Sequence, residues 1–283
     1  MVNIKLKKFN LEHTLECGQI FRINRLEEWY YVNAQNKFFK IRQNGNELEY
    51  HGVDKKFVTH FFSLNEDYSK ILKKIDRDKY MREAIERYRG LRILRQDPWE
   101  CLISFICSSA SNIPRIKSIL NVLSEDFGKQ INLDKVCNYS FPIPGSINNY
   151  KKILSAKTGF RAKYIFETNK SMNIKTLNSF RTMTYKSAKD ELKKLNGVGD
   201  KVADCVLLFS LGFNQAFPVD TWIKKVMQLL YFDNETVSNE KIRDYALNYF
   251  GDYAGYAQQL LFMFARNELR TPNRLKLWKE GKL

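Results

Sequence analysis

Apolar residues are spaced in two ways along this chain. The first part carries short aromatic and β-branched runs; the rest carries helical stripes. Trp29-Tyr30-Tyr31-Val32, Phe38-Phe39-Lys40-Ile41 and Glu47-Leu48-Glu49-Tyr50 read as strands, and Asn44-Gly45 before the last is a hairpin signal. A helical tract rich in Lys, Arg, Ile and Leu follows from about residue 65 to 94. Asp97-Pro98 reads as an N-cap with proline at the first helical position. The helix it opens, Trp99 to about Ser109, is apolar on all sides, the pattern of a helix at the centre of a domain. A further helix is expected from Pro114 to Asp126, ending near Gly128, and then a loop at Phe141-Pro142-Ile143-Pro144-Gly145. Everything beyond reads as helices, at about 149–155, 161–172, 174–180, 186–195, 201–211, 221–230, 239–249 and 254–267. No repeat or low-complexity segment interrupts them.

The pattern predicts an α+β protein. An N-terminal antiparallel β-rich domain with flanking helices spans 1–95, and a larger all-α region spans 96–283.

Charge sharpens this picture. Lys+Arg of 47 against Asp+Glu of 31 leaves +16 over 283 residues. The basic residues are scattered in pairs such as Lys7-Lys8, Lys73-Lys74 and Lys224-Lys225, which favours a folded basic surface over a disordered arm. A polyanion, nucleic acid first, is the expected partner. The five cysteines, Cys17, Cys101, Cys107, Cys137 and Cys205, are widely spaced and form no C-x-x-C pair. Neither a zinc site nor a disulfide framework is expected, and the setting is read as reducing and intracellular. No signal-peptide core and no membrane span is legible. All three histidines, His13, His51 and His60, fall in the first quarter, so a serine-histidine-aspartate arrangement would have to span domains.

The candidate chemistry lies in Leu195-Asn196-Gly197-Val198-Gly199-Asp200-Lys201-Val202-Ala203-Asp204-Cys205 and the following Pro218-Val219-Asp220. Val202, Cys205, Val206 and Phe209 form one buried stripe. Gly197 and Gly199 sit where the chain must reverse between two helices. Glycines there let backbone amides point outward beside the positive end of the next helix, a grip on phosphate that reads no base. An ordinary helix–turn–helix corner would look similar. Lys201 is either a solvated lysine or a nucleophile; at a helix N-terminus the dipole disfavours a cation and favours the neutral amine. Asp220 reads as an N-cap, and a carboxylate held there can also stabilise positive charge developing on a sugar ring.

Leu195 to Asp220 resembles the helix-hairpin-helix, Gly/Pro-Asp signature of the DNA glycosylase superfamily, and within it the 8-oxoguanine DNA glycosylases. Residues 95–109, Cys17-Gly18-Gln19-Ile20-Phe21-Arg22 and Asp252-Tyr253-Ala254-Gly255-Tyr256-Ala257-Gln258 resemble other segments of that branch, so the resemblance covers nearly the whole chain. It implies a bifunctional glycosylase and lyase acting as a monomer, without cofactor or metal, on double-stranded DNA that carries oxidised guanine. The damaged nucleotide would be flipped out of the stack. Asp220 would stabilise the sugar cation and Lys201 would form an imine. Gly18 would accept from N7–H of the lesion through its carbonyl. Phe262 and Cys205 would stack on its two faces, Gln258 would bond its edge, and Phe21 and Pro218 would complete the pocket. Gly197, Gly199, Asn112 and Arg115 would contact DNA, Arg115 reading an opposite cytosine. The chain departs from the branch at Ala110, where an asparagine contacts the orphaned base, and at Trp222, where a histidine stands. Two other readings are a glycosylase for another purine lesion, such as an alkylated base, and a non-catalytic DNA-binding module.

Overall fold

A computed structural model describes residues 2–268. The chain opens with β1 (Val2–Lys5), α1 (Leu11–Glu16), β2 (Ile23–Leu26), β3 (Trp29–Ala34), β4 (Lys37–Asn44), β5 (Glu47–His51) and α2 (Lys55–Phe61). The five strands pair antiparallel in the order β1-β5-β4-β3-β2. Gly45 turns β4 into β5 as the sequence predicts, with φ +56°. The β3–β4 turn is made instead by Gln35 and Asn36, both with positive φ, the backbone that matches strand twist in a two-residue hairpin. Alternation buries Phe39 and Ile41 of β4 and Leu48 and Tyr50 of β5 against Leu11 and Leu15 of α1 and Val58 and Phe61 of α2. The strands that the residue pattern does not announce, β1 and β2, are the four-residue edges of this sheet.

The rest of the described residues is mainly helical: α3 (Tyr68–Ile75), α4 (Lys79–Arg87), α5 (Pro98–Cys107), α6 (Ile113–Phe127), then β6 (Gln130–Leu133) and β7 (Val136–Tyr139), then α7 (Tyr150–Ser155), α8 (Arg161–Ser171), α9 (Ile174–Ser179), α10 (Tyr185–Lys193), α11 (Asp200–Val206), α12 (Thr221–Tyr231), α13 (Asn239–Phe250) and α14 (Ala254–Glu268). The tract expected at 65–94 is two helices, because Asp78 caps a second one by accepting from the Met81 amide at 2.8 Å. Residues 91–97 then form neither helix nor strand. They cross between the two cores: Leu91 and Ile93 pack among the helices and Leu94 among the strands. Tyr68, Ile71, Met81 and Ile85 also pack with the helical core. The β6–β7 hairpin interrupts the region expected to be all helical, and Lys40 holds its turn to β4 through Asp134 at 2.7 Å.

α5 runs through the centre, each of its residues buried. Asp97 Oδ1 accepts from the amides of Trp99 and Glu100 at 3.0 and 2.9 Å, with Pro98 in the first turn, as the sequence predicts. The helix from α11 runs on to Leu211 but widens into a π-turn at Leu207–Leu211, and Gly212 ends it with φ +87°. Arg22 and Glu100 form a buried ion pair at 3.4 Å between the sheet and α5. Arg22 and Asn33 both donate to the Tyr139 carbonyl of β7, closing that junction. Burial pushes the Glu100 carboxyl up to about 7, against the opposing pull of Arg22.

Candidate active site

A cavity of about 820 Å³ opens where the α10–α11 hairpin, the end of α5, the Gly18 loop, the start of α12 and α14 meet. Every site residue singled out in the sequence lines it except Arg115. Residues far apart in sequence thus converge on a single concave surface.

The hairpin is built on its two glycines in different ways. Gly197 has φ +81°, and a Cβ there would fall 2.4 Å from Cδ2 of Tyr164 on α8. No other residue fits. Gly199 has an ordinary extended backbone and open space where a Cβ would be. It is the N-cap of α11, and no side chain bonds the first amides of that helix. Uncapped amides beside open space are an anion-binding arrangement. Behind them lies a polar clamp that the sequence does not announce. The fully buried Asp204 accepts from the Tyr185 hydroxyl at 2.6 Å and from Lys189 at 2.9 Å. Lys193 and Arg243 pair with Asp200 at 3.0 and 3.5 Å. These contacts tie the two helices of the hairpin, and α13, into one rigid unit.

Lys201, the second residue of α11, points to α5. Its Nζ donates to Ser108 Oγ at 2.9 Å and lies 5.0 Å from the centre of the Phe105 ring. Asp220 caps α12, its Oδ1 accepting from the Ile223 amide at 2.8 Å. Burial raises the Asp220 carboxyl above the usual carboxylate range; the Ile223 amide and the Lys201 charge act in the opposite direction. The arrangement places an amine and a carboxylate in one cavity, one on each of two rigid helix starts. Cys205, one turn beyond Lys201, is buried, and that burial pushes its thiol up to about 12, so it stands as a neutral thiol.

Across the cavity, Gly18 has φ +81°, and a Cβ would meet Phe262 at 3.6 Å and Ile113 at 3.5 Å. The loop carrying it is held from both sides. Gln19, wholly buried, donates to the Arg92 carbonyl at 2.8 Å and accepts from the Leu94 amide at 2.8 Å. Gln259 on α14 donates to the Cys17 carbonyl at 2.7 Å. Neither glutamine stands out in the sequence, because each acts through residues remote from it. Gln258 is buried with its Oε1 lacking a hydrogen-bond partner, and Ser111 Oγ is in the same condition. Both residues line the cavity. A buried polar atom left unpaired costs roughly 1–3 kcal/mol, a cost that a polar ligand would remove.

The chain is similar to known proteins along most of its length. Residues 1–102 match the family model described as 8-oxoguanine DNA glycosylase, N-terminal domain. A probable N-glycosylase/DNA lyase of Methanothermobacter thermautotrophicus is 30% identical over 215 residues, 67% of this chain and 68% of that protein. The chain belongs to the 8-oxoguanine DNA glycosylase family. A Saccharomyces cerevisiae N-glycosylase/DNA lyase is 34% identical over 212 residues; the match spans 56% of that protein, little more than half its length. The 8-oxoguanine glycosylase/lyase of Clostridium acetobutylicum, solved with double-stranded DNA containing cytosine opposite 8-oxoguanine, superposes with a TM-score of 0.87. It is 34% identical, over 94% of this chain and 98% of that one.

Within this 8-oxoguanine DNA glycosylase family member, the segment after α5 is where the sequence departs from expectation, and its geometry is unusual. Ala110 has φ +47°, which costs an alanine about 1 kcal/mol or more. The conformation is enforced by Arg161, almost wholly buried, whose guanidinium donates to the carbonyls of Ser109, Ala110 and Thr158. Asn112 lines the cavity while its Oδ1 caps α6 through the Arg115 amide at 3.0 Å. Arg115 is exposed outside the cavity and donates to the Lys157 carbonyl at 3.2 Å. Phe160, next to Arg161, is 57% exposed, an aromatic that the sequence pattern gives no reason to single out. Trp222 lines the cavity, with Lys225 over its ring. Among the described residues no three histidine, cysteine or acidic side chains come together as a metal site, and no helix is long and apolar enough to cross a membrane.

Proposed function

We propose that the protein removes 8-oxoguanine from duplex DNA and then cuts the strand by β-elimination. The observation that carries this reading is the convergence of Lys201 and Asp220 on one cavity whose far wall is Gly18, Gln258 and Phe262. An enzyme working on a base inside a duplex must take the nucleotide out of the stack, and a cavity of this size accepts a flipped purine. Gly199 and the uncapped start of α11 hold a backbone phosphate at the mouth. The base enters between Cys205 and Phe262, with Phe21 and Pro218 in the wall. The Gly18 carbonyl accepts from N7–H, which 8-oxoguanine has and guanine lacks. Gln258, with its unpaired Oε1, bonds the base edge.

As the bond from C1′ to the base breaks, the base leaves with the electron pair and takes up a proton. The Asp220 carboxylate stabilises the positive charge on the sugar. The Lys201 lone pair bonds to C1′, and after the ring opens the adduct is an imine. Loss of a proton from C2′ then expels the 3′ phosphate. Lysine supplies what water does not: an imine that acidifies C2′ and so permits strand cleavage.

Arg115 and Asn112 face the opposite strand in this reading, and cytosine is the preferred partner base. Supporting it is the Clostridium relative, crystallised with that pair. Ala110 offers no side-chain hydrogen bond to the orphaned base. The experiment is excision from four duplexes that differ only in the base opposite 8-oxoguanine. Faster release opposite cytosine is expected, and equal rates opposite all four would refute the preference.

A further inference from the structure

The Ser108 hydroxyl lies within hydrogen-bond distance of the Lys201 amine, and its own hydrogen bonds define its role there. Ser108 is the residue at which α5 ends. Its Oγ donates to the Phe105 carbonyl at 2.6 Å, one turn back. The single hydroxyl proton is thereby committed, so only lone pairs face Lys201, and the contact at 2.9 Å has the lysine as donor. Phe105 completes the seat: its carbonyl fixes the hydroxyl, and its ring lies under the same amine at 5.0 Å. Ser108 lines the cavity and is only half-buried, so the contact lies at the chemistry and not behind it.

We infer that Ser108 is a positioning residue for the Lys201 nucleophile, an acceptor that sets the rotation of the amine in the resting enzyme. This rests on the imine reading above. The attacking amine is the neutral form, which has two N–H bonds and one lone pair. Directing one N–H at Ser108 restricts where the lone pair points. A lysine side chain otherwise samples many rotamers, and misplacing a reacting atom by about 1 Å costs on the order of 100-fold in rate. Ser108 is not a base for the lysine proton, since its hydroxyl keeps its own proton, donated to the Phe105 carbonyl, and a neutral alcohol is far less basic than an amine. Its contribution is geometric and separates from the work of Asp220. Ser109, beside it, is engaged differently, its carbonyl held by Arg161, so the two adjacent serines are not interchangeable.

The test uses a duplex with a preformed abasic site, which bypasses recognition of the base, and borohydride to trap the imine in a single turnover. Ser108→Ala is expected to slow trapping at least about 10-fold while duplex affinity stays within about 2-fold, an effect on the chemical step alone. Ser108→Thr, which keeps the hydroxyl, is expected to restore most of the rate. Trapping by Ser108→Ala at the wild-type rate would overturn the assignment and leave the imine reading standing. Equal slowing in Ser108→Ala and Ser108→Thr would also overturn it, by showing that packing and not the hydroxyl matters. Absence of any adduct with the unaltered protein would overturn the imine reading itself.

Discussion

Gly197 and Tyr164 are packed so closely that a Cβ on the glycine would fall 2.4 Å from Cδ2 of the ring. Gly199, two residues on, faces open space. The two glycines of the hairpin therefore serve different ends. Gly197→Ala combines a left-handed backbone with a clash against a ring on another helix, and should cost roughly 2 kcal/mol or more in unfolding free energy. Gly199→Ala should leave stability within about 1 kcal/mol yet weaken duplex binding by filling the space before the α11 amides. Denaturant melts and duplex titrations of both variants check the contrast. Equal loss of stability in the two would contradict it.

Asp220 has two roles that one substitution separates. Asparagine is as good an N-cap as aspartate, so Asp220→Asn should fold normally. It carries no charge, so base release should fall by about 100- to 1,000-fold, the scale of removing one electrostatic stabiliser of a transition state. Single-turnover base release is the measurement. A variant with near-normal base release would remove Asp220 from the chemistry.

The clamp behind the hairpin should be expensive to break. Asp204 is wholly buried and bonded to Lys189 and Tyr185. Asp204→Ala leaves the largely buried Lys189 ammonium short of its closest partner and is expected to cost about 3–5 kcal/mol. Asp204→Asn, still an acceptor for Tyr185, should cost less. Chemical denaturation decides, and a loss under about 1 kcal/mol for the alanine variant would show the clamp to be unimportant.

Glu100 gives a pH dependence with a definite sign. Its folded-state pKa, about 7, lies above the ordinary value of 4.5 because burial penalises the charge. The folded state therefore binds this proton more tightly than the unfolded state. Stability from this group is fully present below about pH 4.5 and is lost as pH rises toward 7. Glu100→Gln removes that loss. The melting temperature of the unaltered protein relative to the variant should fall between pH 5 and pH 7.5, whereas a constant difference would contradict the assignment.

The hairpin, the Asp97 cap and the central apolar helix were all legible in the sequence, because each is a local pattern with its own spacing. The positions of Lys201 and Asp220 at helix starts are legible too, since each follows a turn signal. The edge strands β1 and β2 were not. Each is only four residues long, mostly exposed, and buries a single residue, Ile4 or Ile23, too short a run to stand out as a strand. The strands of the β6–β7 hairpin are equally short, and neither buries a residue fully. The structural roles of Gln19, Gln259 and Arg161 are not legible in the sequence for a different reason. Their partners are backbone carbonyls and amides brought close only by folding, a relationship without sequence spacing. Ser108 was hidden in a run of small polar residues at a helix end. Only the packing of α11 on α5 gives its hydroxyl a lysine to hold.

The central claim is that Lys201 attacks the sugar. The direct measurement is borohydride trapping on a duplex carrying one 8-oxoguanine opposite cytosine, with the unaltered protein and Lys201→Gln. The account predicts a covalent protein–DNA adduct with the first and none with the second. An adduct that persists in Lys201→Gln, or free base released by the unaltered protein without any adduct, would contradict it.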